Sequence, residues 1–225
     1  MTPTNYIIIV AGGSGSRMNA GIPKQFLPLG GKPMLMHTIE KFFSFDPGIK
    51  IIVVLPEKEI PEWKSLCDLH NFAIAHVIEK GGTSRFQSVK NGLDHITESC
   101  IVGVHDGVRP FASIELIKRC FSEARIKGNA VPCVPLQDSI RSIGNGMNKA
   151  VDRNSLVSIQ TPQCFTSEML KKAYQSEFND SFTDDASVVE SAGEKINLVE
   201  GERDNIKITF PQDMESAKML FEKQA

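Results

Sequence analysis

No CxxC pair and no even set of cysteines occurs in the 225 residues; Cys67, Cys100, Cys120, Cys133 and Cys164 are scattered singly. An odd, unpatterned count argues against a complete disulfide framework and for reduced thiols in a cytoplasmic protein, packed as small hydrophobes. Long hydrophobic runs are also missing. The opening MTPTNYIIIV has no basic start and an apolar run far too short to span a bilayer, so it reads as a first strand. Neither sign of charge is in excess: 25 Lys and Arg stand against 27 Asp and Glu, a formal charge of -2, which excludes general attraction to nucleic acid or to an anionic membrane. Any anion site must therefore be built locally. Internal repeats and low-complexity linkers are absent, and the length suits a single domain over 1–225 with a substantial core.

What is present alternates. Short apolar runs at Tyr6 to Val10, Ile51 to Leu55, Ile74 to Ile78, Ile101 to Val104, Ala130 to Val134 and Ile196 to Val199 are bounded by turn residues, as strands buried on both faces would be. Between them, Leu35, Ile39, Phe42 and Phe43 share one helical face. Helices are likewise predicted over Ser84 to His95, Ile114 to Lys127, Ser167 to Phe178, Asp185 to Ala192 and Pro211 to Lys223. Strand and helix in alternation mean an α/β fold with a mostly parallel, Rossmann-like sheet flanked by helices. One stretch breaks the rhythm. From Leu136 to Gln160, apolar and polar residues alternate around Gly144-Asn145-Gly146, which predicts a projecting β-arm over 136–160. A two-stranded hairpin is marginal alone, so a partner subunit is the expected source of its missing contacts.

Directly behind the first strand stands IVAGGSGSRMNAGIPKQF, Ile9 to Phe26. A dinucleotide fingerprint counted from Gly13 meets Gly15 and then Met18, so its third glycine is missing. A Walker-type loop fails as well, because Gly31-Lys32 is followed by Pro33 and has no strand directly before it. Two readings remain. Ala11, Gly12, Gly13, Ser14 and Gly15 can bring backbone N–H groups to phosphate oxygens with Arg17 and Lys24 folded over the same anion, or the glycines make only a tight turn beside solvated cations. Asp106 in VHDGVRPF follows an apolar strand, where an α/β sheet presents ligand groups at its carboxyl end; it could equally cap the helix near Ser113 or brace Arg109. His105 has no second histidine at metal-ligand spacing and reads as structural.

Several blocks together carry a resemblance: AGGSGSRM with PKQFLPLGGKPML, GGTSRFQSVKNGL at Gly81 to Leu93, VHDGVRPF at Val104 to Phe111, VDRNSL, TPQCF, TDDASVVE and DNIKIT. In this order they resemble the 2-C-methyl-D-erythritol 4-phosphate cytidylyltransferase family of the non-mevalonate route to isoprenoid precursors. The resemblance spans nearly the whole chain and implies a modified dinucleotide-binding fold. It also implies transfer of a cytidylyl group from CTP to an alditol phosphate with release of pyrophosphate. Ribitol 5-phosphate cytidylyltransferases share the same blocks and form the near alternative; a CTP-binding sensor without turnover is the alternative of another class.

The resemblance assigns Arg17, Lys24 and Lys207 to catalysis. It gives the nucleotide Ala11 to Gly15, Gly81, Gly82, Arg85, Ser88 and Asp106. To the alditol phosphate it gives Asp106, Arg109, Ser139, Arg153, Thr161, Thr183 and Lys207, with Ser139 and Arg153 entering from the neighbouring subunit's arm in a homodimer. Magnesium is implied on Asp106, with Asp204 as a second carboxylate; such an ion suits one or two carboxylates completed by phosphate oxygens and water. The chain departs from the family at Gly107-Val108, where two alanines are frequent, at Thr83, where an acidic residue is frequent, and at Ser139, where threonine is usual.

Overall fold

The run NYIIIV forms β1 (Asn5–Val10) at the middle of an eight-stranded sheet, and Ile7, Ile8 and Ile9 have no exposed surface. The structure is a computed structural model that describes residues 4–13, 21–144 and 146–224. After β1 come the short β2 (Pro28–Leu29) and β3 (Lys32–Pro33), then α1 (Met34–Phe45), β4 (Lys50–Leu55), α2 (Ile60–Leu69), β5 (Val77–Lys80), α3 (Arg85–Leu93), β6 (Ile101–Asp106) and α4 (Ile114–Lys127). The second half holds β7 (Asn129–Pro135), β8 (Ile140–Gly144), β9 (Met147–Val151), β10 (Val157–Ile159), β11 (Gln163–Thr166), α5 (Ser167–Ala173), α6 (Asp185–Ser191), β12 (Leu198–Glu200) and α7 (Pro211–Gln224).

The main sheet runs β10-β7-β11-β6-β1-β4-β5, with β12 added on β7. Strands β6, β1, β4 and β5 are parallel, and β12 is parallel to β7; β11 lies antiparallel between β6 and β7, and β10 antiparallel on β7. Alternate side chains leave each strand on opposite faces. Thus Ile7, Ile9, Ile51 and Val53 pack with α1, α2 and α4, whereas Ile8, Ile52, Val54 and Val102 pack with α3, α5 and α6. A smaller cluster of Leu29, Met34, Val108, Phe111, Ile208 and Ala217 seats α7 against β2 and the loop after β6.

The expected α/β sheet is present, and α4 keeps its expected bounds. Four places differ. Helix α2 was not expected, because Trp63 is its one fully buried side chain and such a narrow stripe gives little period to read. Strand β5 begins at Val77 rather than Ile74, since pairing starts at Ile52 opposite Val77, while His76 turns aside to hydrogen-bond Trp63. Helix α5 stops at Ala173, short of Phe178, although Phe178 still packs beside Phe86. Strand β11, in the polar block TPQCF, carries too few β-branched residues to stand out. The stretch around the Gly-Asn-Gly turn forms a separate two-stranded hairpin of β8 and β9 with mostly exposed residues, Gly146 having φ +73°. That hairpin occupies 140–151 of the expected 136–160; β10 rejoins the main sheet.

Parallel strands carry their loops to one end. Beyond the strand ends the ladder continues, with the Ala11 N–H donating to the Val54 carbonyl, Gly107 to Val10 and Gly81 to Leu55. The first glycines, Gly81-Gly82 and Asp106 are thereby gathered at one edge. Close packing beneath that edge is set by Gly103 of β6, where an added Cβ would stand 2.8 Å from Ile7 Cδ1 and 3.1 Å from Phe121 Cζ. Gly103→Ala is expected to destabilise by about 1–3 kcal/mol through overpacking, measured as a lower urea midpoint at unchanged m-value.

Candidate active site

At the carboxyl edge of β1, β4, β5 and β6 lies a cavity of about 280 Å³. Ala11, Gly12, Gly13 and Lys24 line one side, Gly82, Arg85 and Ser88 the other, and Asp106 and Lys207 a third. Residues from four separate blocks of sequence therefore meet where a doubly wound sheet binds ligands. Ser14, Gly15 and Arg17 lie outside the described residues.

Lys24 is presented by a short 3₁₀ turn, Lys24–Phe26, entered from Pro23. The turn is fastened from beneath: Phe26 stacks on Trp63 of α2 with centroids 5.8 Å apart, and Gln25 donates to a Glu59 carboxylate oxygen. Burial pushes the Glu59 carboxyl up, with Lys58 and the Gln25 hydrogen bond opposing that rise. Lys24 itself is only 8% exposed, and its stem lies across the glycine turn, since an added Cβ on Gly13 would come within 3.2 Å of Lys24 Cε. A side chain at position 13 would crowd the ammonium carrier.

Opposite, Ser84 caps α3 by accepting from the Gln87 N–H, and Ser88 Oγ accepts from the Gly82 N–H at 3.1 Å. Arg85 opens α3 with its guanidinium paired to Asp185. Gly81 stands behind Gly82 and does not line the cavity.

Asp106 ends β6 and is 8% exposed. Arg109 Nε and Lys207 Nζ both approach its Oδ2 at 3.1 Å. Burial alone would raise this carboxyl, but Lys207, Arg85 and Arg109 outweigh it and hold the group well below the ordinary carboxylate range. Of the three readings open for Asp106, two hold: it braces Arg109 and it lines the cavity. Ser113 caps its own helix.

His105 is fully buried behind this edge, with its ring nitrogens both engaged. Nε2 lies 3.0 Å from the Arg109 carbonyl, which can only accept, so Nε2 carries the proton. Nδ1 then accepts from the Thr161 hydroxyl at 3.0 Å, and Thr161 Oγ1 in turn accepts the Asp106 N–H at 3.1 Å. Burial, partly offset by the Arg109 carbonyl, pushes His105 from 6.5 down to about 4. The ring is neutral, and it orients both Asp106 and Arg109. Thr161 is 5% exposed with its proton committed to His105, so it stands behind the cavity rather than in its lining.

The remaining expected residues are not brought together in this chain's cavity. Ser139 precedes β8, Arg153 donates to the Gln137 carbonyl beside the hairpin, Thr183 precedes α6, and Asp204 lies in a turn; all four are exposed. Arg109 sits behind Asp106 and donates to the Asn205 carbonyl at 2.7 Å. Among the described residues no group of three His, Cys, Asp or Glu could hold a metal ion. Gln25 and Ser84 line the cavity unforeseen; adjacency to Lys24 and the Ser-x-x-Gln cap spacing were the available signals.

A glycine turn and several cations around one buried carboxylate, at the carboxyl edge of a mostly parallel sheet, place the chain in the class of α/β nucleotidyltransferases. The family model described as IspD, 2-C-methyl-D-erythritol 4-phosphate cytidylyltransferase, matches residues 6–223, and the chain belongs to that family. It is 49% identical over 215 residues to a protein of that name from Phocaeicola vulgatus, covering 96% of this chain and 98% of the relative. The structure is similar to that of 4-diphosphocytidyl-2C-methyl-D-erythritol synthase from Anaerococcus prevotii, with a TM-score of 0.82 at 28% identity, covering 98% of this chain and 99% of the other. It is also similar to 2-C-methyl-D-erythritol 4-phosphate cytidylyltransferase from Thermus thermophilus, with a TM-score of 0.78 at 30% identity and coverage of 99% and 100%.

The buried His105 makes stability depend on pH. Its folded value lies below its unfolded one, so the stability is fully present above pH 6.5 and is lost as pH falls toward 4, where the folded ring also charges. The loss over that window is expected to be about 3 kcal/mol. Urea unfolding at pH 7 and pH 4.5 checks it: His105→Gln should lose distinctly less than wild type between the two, because His37 and His76, also pushed down by burial, remain in both. Equal losses would contradict the assignment.

Proposed function

We propose that this chain transfers a cytidylyl group from CTP to 2-C-methyl-D-erythritol 4-phosphate, in the formation of isoprenoid precursors. A phosphate oxygen of the acceptor attacks the α-phosphorus of CTP, the bond to the β,γ-diphosphate breaks, and pyrophosphate leaves with its electron pair. The nucleophile is already an anion, so positioning and neutralisation of charge carry the rate. The observation that supports this best is the meeting of Lys24 and Lys207 around one cavity with Asp106 held ionised between cations. Lys24 would stabilise charge growing on the transferred phosphoryl group, together with Arg17 of the same loop. Lys207 and Arg109 would hold the acceptor phosphate.

The glycine wall at Gly81-Gly82, with Arg85 and Ser88, is the proposed seat of cytosine, because a small base needs close backbone approach. Thr183 is proposed beside the acceptor, and Thr161 is proposed to serve it through Asp106. Magnesium fits the donor set as an ion borne largely by substrate: Asp106 is the one carboxylate lining the cavity among the described residues. Asp106 would hold it, and the ion would neutralise triphosphate oxygens. Asp204, exposed and outside the lining, would reach such an ion only as a secondary partner. A homodimer in which Ser139 and Arg153 of the hairpin enter the neighbouring site is part of the proposal. It is supported by Ile143 and Met147, 83% and 74% exposed on that hairpin. A cytoplasmic setting is supported by the five free cysteines; among the described residues no helix is long and apolar enough to cross a membrane.

Purified protein with CTP and magnesium should release pyrophosphate with methylerythritol phosphate and far less with ribitol 5-phosphate. Preference for ribitol phosphate would reassign the acceptor, and no release with either would leave a nucleotide sensor. Chelation of magnesium should abolish turnover. Lys24→Ala should lower kcat/KM by about 10²–10³ while leaving the melting temperature within a few degrees.

Site sharing has its own signature. Lys24→Ala and Arg153→Ala chains, each nearly inactive, should regain about a quarter of wild-type activity when refolded together, because half of randomly formed dimers would carry one intact site. No recovery would mean that Arg153 does not act across subunits.

A further inference from the structure

Arg85 and Asp185 are a hundred residues apart in the chain and meet as a two-point pair. Nη1 donates to Oδ1 at 3.0 Å and Nη2 to Oδ2 at 2.5 Å. The two ends have different surroundings: the Arg85 side chain lines the cavity and is 29% exposed, whereas Asp185 is fully buried and outside the lining. A buried carboxylate is stable only when its charge is answered, and here a third donor adds to the arginine, the Tyr174 hydroxyl at 2.7 Å from Oδ1. Tyr174 is itself fixed by stacking on Phe86, centroids 4.6 Å apart.

Asp185 does not move independently of the sheet. It is the first residue of α6, whose start is closed by the reciprocal cap of Asp184 and Ser187. Gln163 of β11 clamps the same turn from the sheet side, donating to Asp184 Oδ2 at 2.8 Å and accepting from the Ala186 N–H at 2.8 Å. Strand β11 is paired to β6, which ends in Asp106. The guanidinium in the nucleotide wall is thus held by α6 and the sheet as well as by its own helix.

We propose that Asp185 is a positioning residue for nucleotide binding: with Tyr174 it pre-orders Arg85, so that CTP meets a fixed guanidinium and not a long side chain that must give up its rotamers on binding. This rests on the reading of the cavity as a CTP site. It also predicts a sign opposite to that of net charge. Removing a carboxylate makes the cavity more positive and by charge alone would tighten a triphosphate; loss of positioning weakens it.

The test is the Kd of CTP by titration calorimetry for wild type, Asp185→Asn and Tyr174→Phe, the last keeping both the charge and the ring. Asp185→Asn should weaken CTP on the order of tenfold and Tyr174→Phe about threefold, at full stoichiometry. A purely structural role would lower the binding-competent fraction and leave Kd unchanged. No weakening in either folded variant would overturn the proposal, and if Asp185→Asn does not fold, Tyr174→Phe decides alone. Pyrophosphate release by wild type is followed in parallel. Its absence would sink the catalytic reading, while the Kd comparison would still judge Asp185.

Discussion

The carboxylate of Asp106 is the constraint on which the site depends. Buried at the end of β6, it would take up a proton were it alone, and it stays ionised because Lys207, Arg85 and Arg109 surround it. Each of those cations comes from a different part of the chain, so the charge balance holds only while the parts keep their places. Lys207 is carried by an extended segment tied to the loop after Asp106 through the Ile208 N–H and the Val108 carbonyl. Arg109 is fixed by its side-chain bond to the Asn205 carbonyl, and His105 fixes its backbone. A folding error in any of these segments would strand a buried charge, which makes the electrostatics a check on the fold.

Lys24 is positioned by the opposite means. Its turn is held by apolar contact, Phe26 lying flat against Trp63, the one fully buried side chain of α2, and by the buried hydrogen bond from Gln25 to Glu59. Trp63 is oriented in turn by donating its indole N–H to His76, whose other nitrogen faces the Ile74 carbonyl. The cavity thus joins one wall organised by paired charges to another organised by packing.

Much of this could be read from residue patterns. The β-branched runs identified β1, β4 and β6, because strands buried on both faces leave no polar alternation, and their carboxyl ends located the glycine turn and Asp106. Lys207 stood out only when several blocks were taken together, and the glycine turn alone left Lys24 open between a phosphate ligand and a solvated cation, since a lysine after a glycine turn is common. What could not be read was direction. That the Thr161 hydroxyl points at His105 and not at a ligand depends on a strand pairing between residues more than fifty positions apart. Asp185 was hidden for the same reason: its neighbours in TDDASVVE suggest a helix start, which it is, and only the tertiary approach of α3 gives it a second task. Strand β11 escaped because its inward glutamine serves hydrogen bonds, a role that apolar periodicity does not register.

The committed state of His105 narrows the chemistry further. It is the imidazole beside the cavity's carboxylate, and a neutral histidine there would be the natural base for a reaction that needed one. Yet Nε2 is spent on a backbone carbonyl and Nδ1 on a threonine hydroxyl, inside a region with no exposed ring surface. Moving a proton through it would break the contacts that orient Asp106 and Arg109. A phosphate nucleophile avoids that conflict, since it arrives ionised and asks the protein only for fixed positive charge. The same buried network that withholds a base supplies that rigidity, and it does so in a chain whose net charge of -2 gives no general attraction for anions.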